Sequence, residues 1–198
     1  MLKREIYMSR IRPFFGNDLI KVITGIRRTG KSVMLDQIRN ELEASGIPDT
    51  SFIAINFENM SSANLTTAES LREEILARAA KVPGKVYLFL DEIQEVERWE
   101  KCINSPRLEL DCDIYITGSN AKLLSGELAT YLAGRYVEFV IYPFSFSEFH
   151  ELYRSEGTAV PVSEAFRQYL KLGGMPYLHH LQFVEEPVHQ YLRDVYNS

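Results

Sequence analysis

Gly25-Ile26-Arg27-Arg28-Thr29-Gly30-Lys31-Ser32 has the residue types and spacing of a phosphate cradle, matching G-x-x-x-x-G-K-[ST] at every defined position. The glycines let backbone N–H groups curl around phosphate oxygens, and a helix starting after the loop adds the partial positive charge of its N-terminus. Lys31 is then placed to neutralise the β- and γ-phosphates of a nucleoside triphosphate, and the Ser32 hydroxyl to coordinate Mg²⁺. The expected nucleotide-binding segment is Gly25, Ile26, Arg27, Arg28, Thr29, Gly30, Lys31, Ser32 and Val33. Arg27 and Arg28 fill variable positions, and their side chains read as solvated. An incidental glycine turn shares these letters, but it lacks the apolar strand before and the amphipathic helix after.

A second constellation ends the apolar run Leu88-Phe89-Leu90 in Asp91-Glu92. A carboxylate at the end of a strand can hold magnesium through its water shell, which is the role expected of Asp91. Glu92, one residue further, is placed to polarise a water for in-line attack on a γ-phosphate. Alone, Asp-Glu after an apolar run is an ordinary strand-end turn; beside the phosphate-binding loop (P-loop) it gains chemical meaning. A third group, Thr117-Gly118-Ser119-Asn120, closes another apolar run with a hydroxyl or amide that can sense the γ-phosphate. Thr117, Ser119 and Asn120 remain alternatives for that role, and a plain turn explains the same four residues.

These residues need a scaffold, and the chain supplies alternating elements. Strands are expected at Leu19–Thr24, Phe52–Phe57, Val86–Leu90, Ile114–Ile116 and Tyr136–Ile141. Val86–Leu90 is continuously apolar, as in a strand covered on both faces. Between the first two, Met34, Leu35, Ile38 and Leu42 share one face of a helix that Gly46 can end. Thr66 and Glu69 predict a capping box for a helix carrying Leu71, Ile75 and Ala79. Such alternation implies an α/β fold, a parallel sheet flanked by helices. After the fifth strand only helices follow. Ser145 and Glu148 predict a capping box with Phe144 and Phe149 as its staple, and further helices are expected over Ser163–Leu172 and from about Glu186 onward. The domain boundary is placed near Pro143, giving an α/β core over 1–143 and a small helical lid over 144–198.

Composition excludes several classes. With 45% hydrophobic and 25% charged residues the chain is globular, and no apolar run reaches membrane-spanning length. Met1-Leu-Lys-Arg-Glu lacks the apolar core of a signal peptide, so a cytoplasmic location is expected. Cys102 and Cys112 lack metal-ligand spacing and read as reduced, packed thiols. Residues 1–31 hold eight Lys/Arg against Glu5 and Asp18, a segment at +6 that leaves −11 for the rest of a chain whose net charge is −5. The basic segment could attract phosphate or nucleic acid, or simply be a solvated face, and the acidic remainder argues against strong DNA binding by this chain alone. The chain ends at Asn197-Ser198 without a terminating signal and is expected to be a fragment.

Taken together these residues resemble the AAA+ superfamily. Within it they are similar to the predicted archaeal and bacterial ATPases related to the STAND and Orc/Cdc6-like groups, which join such an ATPase to a C-terminal domain of unknown function. The resemblance is carried by Leu19–Leu35, Ile55–Glu58, Leu90–Gln94, Ile116–Asn120, Leu128–Arg135 and Tyr142–Phe149, which span most of the chain. It implies a P-loop NTPase sheet of five parallel strands in the order 5-1-4-3-2, ATP as the nucleotide, and a missing downstream domain that binds nucleic acid or protein. Gly173-Gly-Met-Pro176 looks like the Gly-x-Pro turn of STAND-type lids, where Pro176 packs near adenine; a helix stop followed by proline explains it equally. Arg4-Glu5 precedes the P-loop as a similar pair does in those relatives, although an exposed charged start explains it too. Arg135, just before the fifth strand, stands where such ATPases commonly carry an arginine finger. At a sheet edge it would face a neighbouring subunit, which implies a homo-oligomer; capping the preceding helix is the alternative. A lid arginine of the Gly-x-Arg type is not evident.

Three functions fit. The first is a Mg²⁺-dependent ATPase whose cycle moves the helical lid and a partner domain. A small-molecule kinase uses the same scaffold, but Glu92 would waste its ATP. A switch that holds ATP or ADP tightly without turnover is the third.

Overall fold

The computed structural model describes residues 2–119, 132–155 and 161–197. Five strands, β1 (Ile20–Thr24), β2 (Phe52–Asn56), β3 (Val86–Asp91), β4 (Cys112–Thr117) and β5 (Tyr136–Val140), form one sheet in the order β2-β3-β4-β1-β5. Every pairing is parallel. This is the expected order, counted from the other edge. Every residue of β1, β3 and β4 is buried, because central strands of a parallel sheet are covered on both faces. Edge strand β2 alternates instead, with Ile53 and Ile55 inward.

Among the described residues the strands are accompanied by the helices α1 (Glu5–Ile11), α2 (Lys31–Ala44), α3 (Ala68–Ala79) and α4 (Trp99–Glu109). Leu71 and Ile75 of α3, and Cys102 and Ile103 of α4, pack into one apolar cluster with Leu88, Leu90 and Ile114 of the sheet. Burial raises the Cys102 thiol to about 12 and, as the largest of several causes, the Cys112 thiol to about 11. The cap of α3 lies one residue later than expected. Thr67 and Ser70 form the reciprocal box, at 3.2 Å and 3.3 Å. Thr66 instead accepts the Glu97 N–H at 2.8 Å beside a parallel bridge from Thr67 to Glu97, which keeps this segment extended until Thr67.

Near the amino ends of β1 and β4, Lys21 and Asp113 form an ion pair with neither side chain exposed. Lys21 Nζ donates to Asp113 Oδ1 at 2.5 Å and to the Asn17 carbonyl at 3.1 Å. Asp113 Oδ2 accepts from the Gly16 N–H at 2.7 Å and the Tyr115 hydroxyl at 2.8 Å. Burial lowers the Lys21 pKa, and Asp113 offsets only part of that.

The residues divide into two compact units: Glu5–Gly25 with Lys31–Val140, and Met1–Arg4 with Ile26–Gly30 and Ile141–Ser198. The second contains α5 (Phe146–Ser155), α6 (Val162–Leu172), a 3₁₀ turn over Pro176–Leu181, and α7 (Glu185–Asn197). Its core joins Phe149 and Tyr153 to Leu172, Leu178, Phe183 and Val188. Glu148 and Ser145 form the expected box: Ser145 N donates to Glu148 Oε2 at 2.8 Å, and Glu148 N to Ser145 Oγ at 3.4 Å. After α6 the chain turns back on Phe144, whose N–H donates to the Gly174 carbonyl at 2.7 Å. A Cβ at Gly174 would lie 2.2 Å from the Phe144 carbonyl oxygen, so only glycine permits this approach.

Lys21→Met leaves the Asp113 carboxylate buried without its cation. Unfolding free energy, measured by urea denaturation, is expected to fall by about 3–5 kcal/mol; a loss below about 1 kcal/mol contradicts the importance of the pair.

Candidate functional site

A parallel sheet brings the carboxyl ends of its strands to one edge, where such folds place their ligands. Gly25 follows β1, Asp91 ends β3, and Thr117 ends β4, so the sequence-predicted groups share that edge. The loop after β1 depends on left-handed backbone at Arg28 (φ 64°) and Gly30 (φ 92°). The fully buried Thr29 closes it locally, donating its hydroxyl to the Ile26 carbonyl at 2.9 Å. Arg27 and Arg28 are exposed, as expected, although the Arg28 guanidinium lies 5.5 Å from the Tyr191 ring centroid. Val33 is half-buried in the first turn of α2.

Lys31, at the start of α2, is 4% exposed, and its ammonium lies 3.4 Å from Glu92 Oε1. Glu92 has a left-handed backbone (φ 55°, ψ 49°), uncommon for a residue with a side chain. Its N–H donates to Thr117 Oγ1 at 2.9 Å, and that hydroxyl donates in turn to Asp91 Oδ1. The other Glu92 oxygen accepts from Gln94 Nε2 at 2.6 Å. The buried Asp91 carboxylate is also held from the opposite neighbour, since Asn56 Nδ2 donates to Oδ2 at 2.8 Å. Asn56 pairs with Asp91 in the β2–β3 register.

Ser32 and Asp91 open on a cavity of about 410 Å³, together with Asp36 and Asn56. Partial burial, and then the charge of Asp91, push the Asp36 carboxyl above its ordinary value. Ser32, Asp36 and Asp91 offer only hard oxygen donors. Those suit Mg²⁺, which takes one or two protein ligands and completes its shell with phosphate oxygens and water.

Of the three alternative sensors, Thr117 has its hydroxyl engaged by Asp91 and Glu92; Ser119 is half-buried after β4; Asn120 lies outside the described residues. Arg135 is exposed and donates to Asn104 Oδ1 at 3.2 Å. It precedes Tyr136, the partner of Ile20, so roughly 15 Å of strand separates it from Gly25 at the other end of β1. Pro176 begins the 3₁₀ turn of the helical unit.

Sequence reasoning gave no role to Asn56, Gln94 or Asp36. Asn56 was within a segment carrying the resemblance, but its contact needed the strand register. Gln94 reaches Glu92 only because the backbone turns left-handed between them. Asp36 follows Ser32 by four residues, one helical turn, and that spacing was a usable signal.

Known proteins similar to this chain bear on its family and its fold. Residues 17–150 match the protein family described as AAA domain. An uncharacterized protein of Haemophilus influenzae is 43% identical over 176 residues, 89% of this chain and 44% of that protein. This chain therefore spans under half the length of that curated relative. The Walker-type ATPase PABY2304 of Pyrococcus abyssi shares the fold with TM-score 0.63 and 20% identity, over 92% of this chain and 69% of that one. DnaA of Aquifex aeolicus, solved with AMPPCP bound, follows at TM-score 0.57 and 18% identity, over 87% and 56%.

Thr117→Val keeps the shape but leaves the Glu92 N–H without its acceptor and removes the hydroxyl that donates to Asp91 Oδ1. Stability by urea denaturation is expected to drop by about 1–3 kcal/mol; an unchanged midpoint contradicts the bracing role.

Proposed function

This chain belongs to the AAA domain family, and from that premise we propose that its P-loop binds ATP with magnesium and hydrolyses it. The observation that carries the proposal is the Lys31–Glu92 pair, which sets the cation of the loop against the carboxylate that follows Asp91. The triphosphate displaces Glu92 as the partner of Lys31, since its β- and γ-oxygens carry more negative charge. Glu92, freed on that side, accepts a proton from the attacking water. The water oxygen bonds to the γ-phosphorus as the bond to the β–γ bridging oxygen breaks, leaving ADP and inorganic phosphate. Ser32 and Asp91 would hold the metal ion, and Asp36, which lines the same cavity, would accept hydrogen bonds from its waters. When bound, Mg²⁺ neutralises charge developing on the phosphate oxygens. Backbone N–H groups of the loop from Gly25 to Val33 cradle the phosphates, Ser119 or Asn120 senses the γ-phosphate, and Pro176 packs near the adenine.

The wider reading rests on the resemblance. Residues 1–143 act as the ATPase core and 144–198 as a lid whose conformation follows the nucleotide. The chain is akin to the STAND and Orc/Cdc6-like predicted ATPases. The additional length of the Haemophilus relative supports a further domain, for which the resemblance suggests nucleic acid or protein as the partner. A cytoplasmic location is proposed, supported by the finding that no helix among the described residues is long and apolar enough to cross a membrane.

Glu92→Gln is expected to keep ATP bound while slowing hydrolysis about 10²-fold or more, since the amide cannot accept a proton. Phosphate release measured on purified protein tests this, and unchanged turnover removes Glu92 from the chemistry.

Arg135 is proposed to act on a neighbour's nucleotide, supported by its exposure and its distance along β1 from its own loop. Mixing inactive Lys31→Ala with Arg135→Ala chains should then restore hydrolysis, each supplying what the other lacks. Full activity of Arg135→Ala alone, or no recovery on mixing, contradicts a finger acting between subunits.

A further inference from the structure

Of the two readings of Arg4-Glu5, an exposed charged start does not hold for Arg4, whose side chain is only 3% exposed. A guanidinium carries five N–H donors in one rigid plane, and here all five find acceptors. Nε donates to Glu148 Oε1 at 2.7 Å, and Nη2 to Glu148 Oε2 at 3.1 Å, a bidentate pair. Nη1 donates to the Tyr142 carbonyl at 2.9 Å and the Thr29 carbonyl at 3.2 Å, and Nη2 also to the Pro143 carbonyl at 3.4 Å. The guanidinium covers the Phe144 ring, 5.0 Å from its centroid. Ser145 adds donors to Glu148 Oε2 from its N–H at 2.8 Å and its hydroxyl at 2.9 Å. Burial pushes the Glu148 carboxyl up, but Arg4 and Ser145 outweigh it and hold the group below its ordinary value.

One of these five contacts reaches the P-loop itself. A trans peptide group points its C=O and N–H in opposite directions. With the Thr29 oxygen held on Arg4, the N–H of Gly30 in the same peptide group points away from Arg4. Gly30 has φ 92°, and glycine on its own gives little resistance to rotation of that peptide. Orientation of the Gly30 N–H therefore depends on what holds the Thr29 carbonyl.

We propose that Arg4 is a positioning residue for the phosphate cradle, fixing the Thr29–Gly30 peptide with its N–H toward phosphate and tying that peptide to the first turn of α5. The assignment rests on the P-loop reading above. Because the fork is rigid, displacement of the Thr29 carbonyl disturbs the Tyr142, Pro143 and Glu148 contacts together. Lysine keeps the charge, but its three donors radiate from one point and cannot hold this planar set.

The test measures binding of ADP and of a non-hydrolysable ATP analogue by calorimetry in wild type, Arg4→Lys, Glu148→Gln and Lys31→Ala. Hydrogen exchange of the segment Phe146–Tyr153, with and without the analogue, is followed alongside. Arg4→Lys is expected to bind both nucleotides about tenfold more weakly, the scale of one lost charge-assisted hydrogen bond. It should also lose the slowing of exchange in Phe146–Tyr153 that the analogue produces in wild type. Glu148→Gln should weaken binding roughly threefold and blunt the same response. Wild-type affinity in folded Arg4→Lys, or an intact exchange response, overturns the assignment. Should Arg4→Lys not fold, Glu148→Gln decides alone, and its unchanged affinity and response overturn it equally. Failure of the P-loop reading looks different: wild type does not bind, or Lys31→Ala binds as tightly as wild type, and the Arg4 assignment falls with it.

Discussion

The hydroxyl of Thr117 is the point on which the site depends. It accepts the Glu92 N–H and donates to Asp91, so one oxygen on β4 fixes two consecutive acidic residues at the end of β3. Glu92 pays for its left-handed backbone with steric strain, which persists only where the surroundings over-determine it. Thr117 supplies that constraint on one side, and Lys31 and Gln94 hold the carboxylate on the other. Without the inserted strand β4 between β3 and β1, no hydroxyl would stand at this position. The sheet order is thus a requirement of the site as much as of the core.

Both ends of β4 carry buried polar chemistry, with opposite consequences. At the amino end, Lys21 and Asp113 are wholly removed from water and fully engaged with each other and their neighbours. A pair of that kind contributes little net stability relative to apolar residues, but severing it is costly. At the carboxyl end Asp91 lines a cavity with Ser32, and Lys31 pairs with Glu92, the contact that the proposed triphosphate would replace. A closed network thus locks strand register, and an open one leaves room for chemistry.

Much of this was legible in the sequence, for physical reasons that vary by element. The apolar runs of β1, β3 and β4 announce strands covered on both faces, and their alternation with helices announces a parallel sheet. Lys31, Ser32 and Asp91 stand out in the sequence because phosphate and magnesium chemistry tolerates few alternatives at that spacing, and the fold brings Ser32 and Asp91 to one cavity. Contacts set by register or by backbone turns were not legible. The Asn56 contact to Asp91 depends on how β2 aligns with β3, and the Gln94 contact on the turn at Glu92. The shift of the α3 cap from Thr66 to Thr67 follows from a bridge to Glu97, thirty residues further along the chain. Arg4 lay hidden for a similar reason: its partners Thr29, Tyr142, Pro143 and Glu148 are remote in sequence, and only the fold assembles them.

Under the proposed function this arrangement cleaves ATP rather than only holding it. Single-turnover phosphate release, with protein in excess over ATP and magnesium present, separates the two. ADP and phosphate are expected to form within minutes, and chelating the magnesium to stop the reaction. ATP recovered intact from the protein after hours would contradict it and favour a nucleotide-gated switch.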